Sequence, residues 1–373
     1  MNNKKIFLII TCVLIAGLFT GCTSTAGAAS SWPGISSDGE VGYFAYGSEI
    51  YAIDAKNGSL IWRYPSVPDA KTQFFAAPEV SEDQVFAGSY NNSLVALDKN
   101  TGTEKWTFNT AKDRFIASPL VVEGKVYAPN TDKYLYAIDA VGDLLWSFKA
   151  SGPNWTKPVS DGQALYLASM DHFLYALNLE YPTSALAIDK NGSRTLVEKP
   201  LWSLDLGTAV VADPVLSEGR IFVGTIDGKL YSVDIATGKI AWTFTDGDQY
   251  NSIWGAPVVT AEAIFVGNEK GEIFAVSPET GKALWPEPYA AGAEMIAGGI
   301  ATENGALFVN KQGKIFTINA AKEPKPVASL DLVMFATPKS AGDKILLAPA
   351  TKEKLFMAVD FSGNEVWSFT PSK

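Results

Sequence analysis

The sequence predicts an all-β protein, an eight-bladed β-propeller of four-stranded antiparallel blades. Three observations lead there. A run of aromatic or aliphatic residue, Ala, aliphatic residue and Asp, followed by Gly and then Trp, recurs along the chain. A Pro heading seven of the eight copies, with Gly299 in its place in the seventh, follows a similar period. Each period divides into four short extended runs separated by turn signals, with no long helical periodicity. Composition agrees. Of 373 residues, 12% are aromatic, including ten Trp, which strands accept readily. Apolar residues make up 47% and charged residues 19%, which excludes disordered and collagen-like chains.

The first element is an address. Lys4 and Lys5 precede an apolar stretch from Ile6 to Gly21, 16 residues long. That is short for a spanning helix, which needs about 20 residues. A charged start, an apolar middle and small residues at the end read as a secretory signal over residues 1–21. The stretch closes on Leu18-Phe19-Thr20-Gly21-Cys22. Residues 22–31 then form a small, polar tether. Removing the signal takes the net charge from −10 to −12 and discards Cys12, one of two cysteines. A body this acidic is expected to repel nucleic acid, where phosphate contacts dominate affinity.

The repeat occupies residues 32–373. Complete copies run Tyr51-Ala-Ile-Asp54, Gly58, Trp62; Val95-Ala-Leu-Asp98, Gly102, Trp106; and Tyr136-Ala-Ile-Asp139, Gly142, Trp146. Tyr175-Ala-Leu-Asn178 begins a fourth whose Trp202 arrives late, after an insertion over 179–200 expected to project as a loop. Gly238 with Trp242, Gly281 with Trp285, and Gly363 with Trp367 complete later copies. The seventh, from Phe316, has Ala321 to Val327 where Gly and Trp would stand, so a looser junction is expected there. Pro33, Pro78, Pro119, Pro158, Pro214 and Pro257 head successive copies at spacings of 45, 41, 39, 56 and 43. In the third copy, strands are expected at 119–122, 125–128, 134–138 and 144–148.

The residue types follow from that geometry. Asp at the end of the third strand hydrogen-bonds its own backbone and starts a turn. Gly supplies a backbone conformation that other residues avoid. Each Trp lies in the outermost strand, where a large flat side chain can dock on the neighbouring blade. With eight whole units and no spare strand, residues 24–31 or 368–373 are expected to help close the ring.

These motifs resemble the PQQ-like (quinoprotein) repeat, close to Tyr-Ala-x-Asp-x-x-x-Gly-x-x-x-Trp. The resemblance implies that the Trp side chains dock between the blades of an eight-bladed propeller. Leu18 to Cys22 resembles the bacterial lipobox, which implies lipidation of Cys22. Several acyl chains on one Cys give stable anchoring. No Asp follows Cys22, which implies the periplasmic face of an outer membrane where the host has one, and otherwise the outer cell surface. The layout is similar to lipoproteins of the BamB family, which serve the outer-membrane β-barrel assembly machinery. That implies a monomeric propeller acting as a scaffold for envelope proteins, barrel-assembly components among them.

Catalytic candidates are few. Asp54, Asp98, Asp139, Asp234 and Asp360 share one repeat position and read as turn residues. His172, the single His, aligns with Gly228 in a turn. With one His and no thiol left in the body, Ser-His-Asp and Cys-His catalysis are not expected. Asp246, Asp248 and Asn251 offer oxygen donors without the spacing of a Ca²⁺ loop. Asn57, Asn91, Asn154 and Asn191 match the glycosylation pattern and read as turn residues. Neither PQQ nor Ca²⁺ is expected. The expected interaction face is the mouth where the linkers between blades converge. It carries Phe74, Phe75, Arg114, Phe115, Trp155, Lys157, Asp213, Trp254 and Phe335. Aromatic and Arg side chains on a rigid rim suit a protein partner. A small ligand such as a sugar or quinone is the alternative, and a PQQ-dependent dehydrogenase a third reading.

Overall fold

The structure, a computed structural model, describes residues 33–179, 186–188, 194–196, 199–245, 251–351 and 354–371. The signal segment, Cys22, the tether, Asn191, Asp246 and Asp248 lie outside them. The described residues form eight four-stranded antiparallel sheets arranged as a β-propeller.

Each blade is one contiguous stretch of chain whose strands pair in sequence order, innermost first. Blade 1 runs Gly34–Ser37, Val41–Tyr46, Glu49–Asp54, Leu60–Tyr64. Blade 3 runs Leu120–Val122, Lys125–Pro129, Tyr134–Ile138, Leu144–Lys149, within a residue of the expected positions at both ends of every strand. In blade 4 the outer strand Trp202–Asp205 pairs with Phe173–Asn178 across the insertion. The insertion is more than a loop. Leu186–Ile188 and Arg194–Leu196 pair as a hairpin beside the outer strand of blade 3. Blade 6 departs differently. Pro286 and Pro288 follow Trp285 directly, and its outer strand is only Tyr289–Ala290. Pro cannot donate to a ladder, so the pairing resumes beyond it.

The core lies between blades. Tyr43, Ala45, Ile50 and Ala52 of blade 1 pack against Val85, Ala87, Val95 and Leu97 of blade 2. A sheet with both faces apolar cannot stand alone, and the ring gives each face a neighbour.

In every blade but the seventh, an indole packs on the next blade. Trp62 Nε1–H donates to Lys99 O at 2.8 Å, and a Cβ on Gly102 would lie 2.6 Å from the Trp62 ring. Trp106 donates to Ala140 O at 3.0 Å beside Gly142, and Trp202 to Ile235 O at 2.9 Å beside Gly238. Trp242 donates to Pro278 O at 2.9 Å beside Gly281. Trp146 is 1% exposed and packs with blade 4 residues Leu165, Leu167 and Tyr175. Gly thus answers two needs. Gly102 has φ +68°, and it leaves room for a ring from the preceding blade.

Blade 7 solves its missing motif locally. Trp285 of blade 6 still donates to Ala320 O at 2.7 Å, and Lys322 Nζ lies 5.8 Å above its ring. The outer strand Lys325–Ser329 forms without a Trp, and its Val327 carbonyl approaches Gly363 of blade 8 so closely that no side chain fits.

Ring closure uses the same lock. Trp367 Nε1–H of blade 8 donates to Ala55 O of blade 1 at 2.9 Å, and its ring covers Gly58. Phe44 and Phe356 meet at 3.9 Å between centroids, and Phe369 packs edge-on to Tyr51 at 5.6 Å. Among the described residues, no strand is exchanged between the first and last blades.

Candidate functional site

The linkers between blades and the turns between second and third strands share one face, because they are stitched together by backbone hydrogen bonds. Phe74 N–H donates to Gly47 O of blade 1 at 2.7 Å, and Tyr90 N–H of blade 2 donates to Gln73 O at 2.7 Å. The same two bonds recur at Phe115 and Thr131, Asn154 and Met170, Val210 and Ile226, Ile253 and Glu269, Met295 and Lys311, and Met334 and Ala350. This belt holds each linker rigid, as an interaction rim requires.

Within a linker, neighbouring side chains point opposite ways. Phe74 and Phe115 are each 1% exposed, wedged between blades, and a Cβ on Gly88 would strike the Phe115 side chain. Val210, Ile253, Met295 and Met334 are wedges of the same kind. Phe74 and Phe115 therefore do not belong to the rim surface. They are core residues, and the sequence expectation is corrected there. Asn154 occupies this wedge position in the linker between blades 3 and 4, and both of its amide atoms lack partners among the described residues.

The residues beside the wedges are more exposed, except Phe75, which at 7% is buried among its neighbours. Phe75 lies edge-on between Tyr46 at 5.8 Å and Tyr90 at 5.0 Å. The exposed Arg114 guanidinium sits 5.5 Å over the Tyr90 ring. Tyr46, Phe75, Tyr90 and Arg114 so form a continuous aromatic and cationic strip over blades 1 to 3. Across the ring, Lys311 pairs with Glu294 at 2.7 Å and lies 6.0 Å from the Phe335 ring. Trp155 and Trp254 are half-buried, and Trp155 Nε1 has no partner among the described residues. A recess of about one water's size between blades 5 and 6 is lined by Phe244, Ile253, Phe274 and Asn268.

Lys157 and Asp213 lead away from the rim into the channel. Both immediately precede the Pro that heads an inner strand. Lys157 N–H donates to Asp213 Oδ1 at 2.7 Å, and its Nζ reaches past blade 3 to the Glu79 carboxylate of blade 2. Lys339, first residue of the inner strand Lys339–Ala341, faces the same space. Asp213 is exposed by accessible surface, while neighbouring atoms crowd around its carboxyl group. Burial pushes its pKa above the ordinary carboxylate value, against the Lys157 N–H and the charges of Lys157 and Lys339. Burial likewise lowers the Lys339 ammonium, with Asp213 and Glu79 opposing. Sequence reading missed Glu79 and Lys339 because partners such as Glu79 and Lys157 are 78 residues apart. Their one signal was a charge in an inner strand that is otherwise apolar or small.

The turn aspartates make backbone bonds. Asp54 accepts from Lys56 N–H at 2.7 Å, Asp98 from Thr101 N–H at 3.0 Å, and Asp360 from Asn364 N–H at 2.9 Å. His172 is exposed in a turn at φ 80°, where Gly228 has φ 78°. Among the described residues, no three His, Cys, Asp or Glu side chains cluster closely enough to hold a metal ion.

Comparison with known proteins follows the repeat. Residues 46–181 and 196–368 match the family described as "Outer membrane protein assembly factor BamB". The outer membrane protein assembly factor BamB of Moranella endobia is 24% identical over 234 residues, 60% of this chain and 57% of that one. The chain spans about half the length of the curated BamB relatives it matches. A 1-butanol dehydrogenase (cytochrome c) of Thauera butanivorans is 35% identical over 80 residues, 20% of this chain and 12% of that one. Among solved structures, BamB from Moraxella catarrhalis superposes with a TM-score of 0.66 at 16% identity, covering 85% of this chain and 90% of that chain. At that identity the likeness speaks for the fold.

Proposed function

The chain belongs to the family described as outer membrane protein assembly factor BamB, and from that premise we propose that it is a non-catalytic scaffold for proteins of the outer-membrane assembly pathway. The observation that carries this reading is the family match over both halves of the ring, residues 46–181 and 196–368. The geometry supports it. Tyr46, Phe75, Tyr90 and Arg114 are rigidly held on the linker face, and Tyr and Arg dominate interface anchors. In this proposal Cys22 carries the lipid, the tether spaces the propeller off the membrane, and a monomeric ring presents the linker face to its partner.

The enzymatic reading is the weaker one. The dehydrogenase match covers 20% of the chain, about two blades, and reflects the shared repeat. The two hub carboxylates, Glu79 and Asp213, are turned onto nitrogen groups of Lys157. PQQ and Ca²⁺ have no part in the proposal.

Affinity purification of the tagged full-length protein from its host's solubilised membranes tests the scaffold. The barrel-assembly protein is expected to co-purify, and Arg114→Ala with Trp254→Ala is expected to lower its recovery about tenfold, near 1.4 kcal/mol. A wild-type eluate without that protein would contradict the proposal.

A further inference from the structure

Pro33 and Gly34 open the inner strand of blade 1, and they lie on the linker side. A Cβ on Gly34 would stand 2.5 Å from the backbone of Phe75, Ala76 and Ala77, in the linker between blades 1 and 2. The chain therefore enters the ring through the face that bears the linkers. Pro33 follows Cys22 by 11 residues. A small, polar segment of that length spans about 40 Å at full extension and about 20 Å on average. Turning the opposite face to a membrane would take it out across a blade, about 15 Å for four strands, and down one, about 20 Å. That path uses nearly the whole extended length.

The two faces also differ in charge. On the far side, each of the eight turns between first and second strands carries an exposed Asp or Glu, from Asp38 in blade 1 to Asp343 in blade 8. None of these turns contains Lys or Arg. Lys99, Lys105 and Lys344 from neighbouring positions pair with Asp38, Asp83 and Asp343. The repeat's turn aspartates stand at the same end, since Ala55 N–H donates to Glu40 O at 2.9 Å and Lys99 N–H to Asp83 O at 3.0 Å. On the linker side of blades 1 to 3 the balance reverses. Lys71, Lys112, Arg114, Lys133 and Lys149 are exposed, against exposed Asp69 and Asp113. Asp132 there is half-buried and accepts from Lys112 N–H and Tyr136 O–H. None of the five cations makes an ion pair among the described residues. This basic sector surrounds the point where the chain enters, and Tyr46 and Tyr90 within it are suited to a headgroup layer. Basic side chains near a surface are drawn to anionic lipid, and acidic ones are repelled. We propose that the ring lies with the linker side of blades 1 to 3 on the bilayer, its Lys and Arg side chains on anionic headgroups and its acidic turns held away. This rests on the reading that Cys22 carries the lipid.

Energy transfer tests the orientation. The full-length lipoprotein is inserted into vesicles of phosphatidylcholine and phosphatidylglycerol that carry a headgroup-labelled acceptor lipid. With Cys12 removed and Cys22 acylated, one introduced Cys is the sole thiol for a donor dye. Asn91→Cys puts the donor in the linker-side turn of blade 2, and Gln163→Cys in a far-side turn of blade 4; both positions are exposed. Transfer is expected to be higher from Asn91→Cys. The difference should fall in added salt and when Lys71→Gln, Lys112→Gln, Lys133→Gln and Lys149→Gln are combined. Arg114 stays intact, so recovery of the protein partner is an independent measurement. Equal transfer from the two positions, higher transfer from Gln163→Cys, or a difference untouched by the four Lys→Gln changes would overturn the orientation and leave the scaffold reading standing. Protein that fails to float with the vesicles would contradict the anchor itself, and this proposal with it.

Discussion

Asp213 and Lys339 carry opposite charges into one channel, and burial moves their proton affinities in opposite directions. The native state holds the Asp213 proton more tightly than the unfolded chain does. Between the ordinary carboxylate value of 3.8 and the raised native value, the folded form therefore binds more protons, and stability falls as pH rises. Lys339 acts in the other window. Between its lowered native value and the ordinary 10.5, the unfolded chain binds more protons and stability rises with pH. Glu79 and Lys157, which pair with each other, are the charged groups beside them. Urea denaturation of wild type and Asp213→Asn across pH measures the first effect. Wild type should lose stability relative to the variant as pH rises from about 4 toward neutrality. Parallel pH profiles would show that the carboxylate is not desolvated.

The linker is the element on which fold and function meet, and its two faces are one residue apart. Phe115 fills the gap against Gly88, while Arg114 lies outside on Tyr90. Phe115→Ala leaves a cavity in an inter-blade core and should cost about 3–5 kcal/mol. Arg114→Ala lies away from that core and should stay within about 0.5 kcal/mol. Chemical denaturation of both variants checks this, and equal effects would place the two side chains on the same face. The repeat itself was legible in the sequence, since Asp, Gly and Trp stand at fixed offsets dictated by one turn and one docking contact. The direction of linker side chains was not. Phe74 and Phe75 look alike in sequence, and only the belt of backbone bonds decides that Phe74 wedges inward while Phe75 lies between Tyr46 and Tyr90. The hub was legible only in part. Lys157 and Asp213 stood beside the Pro landmarks, but their neighbours come from other blades.

As a whole, the molecule is a ring whose junctions are largely copies of one contact: an indole from one blade laid over a side-chain-free turn in the next. Among the described residues, closure repeats the ordinary junction. Blade 8 engages blade 1 as blade 1 engages blade 2, with Trp367 over Gly58 as Trp62 lies over Gly102. The blade 7 junction shows that the contact can be replaced where a backbone carbonyl approaches closely enough, as Val327 does at Gly363. A ring closed in this way couples residues 309 positions apart in sequence. The most direct test is a double-mutant cycle on Gly58→Ala and Trp367→Ala, read by urea denaturation. A closed ring predicts that Gly58→Ala is costly when the indole is present and much less so in Trp367→Ala, giving a coupling of about 1–3 kcal/mol, similar to that for Gly102→Ala with Trp62→Ala. Additive effects at Gly58 and Trp367 would mean that the first and last blades do not meet.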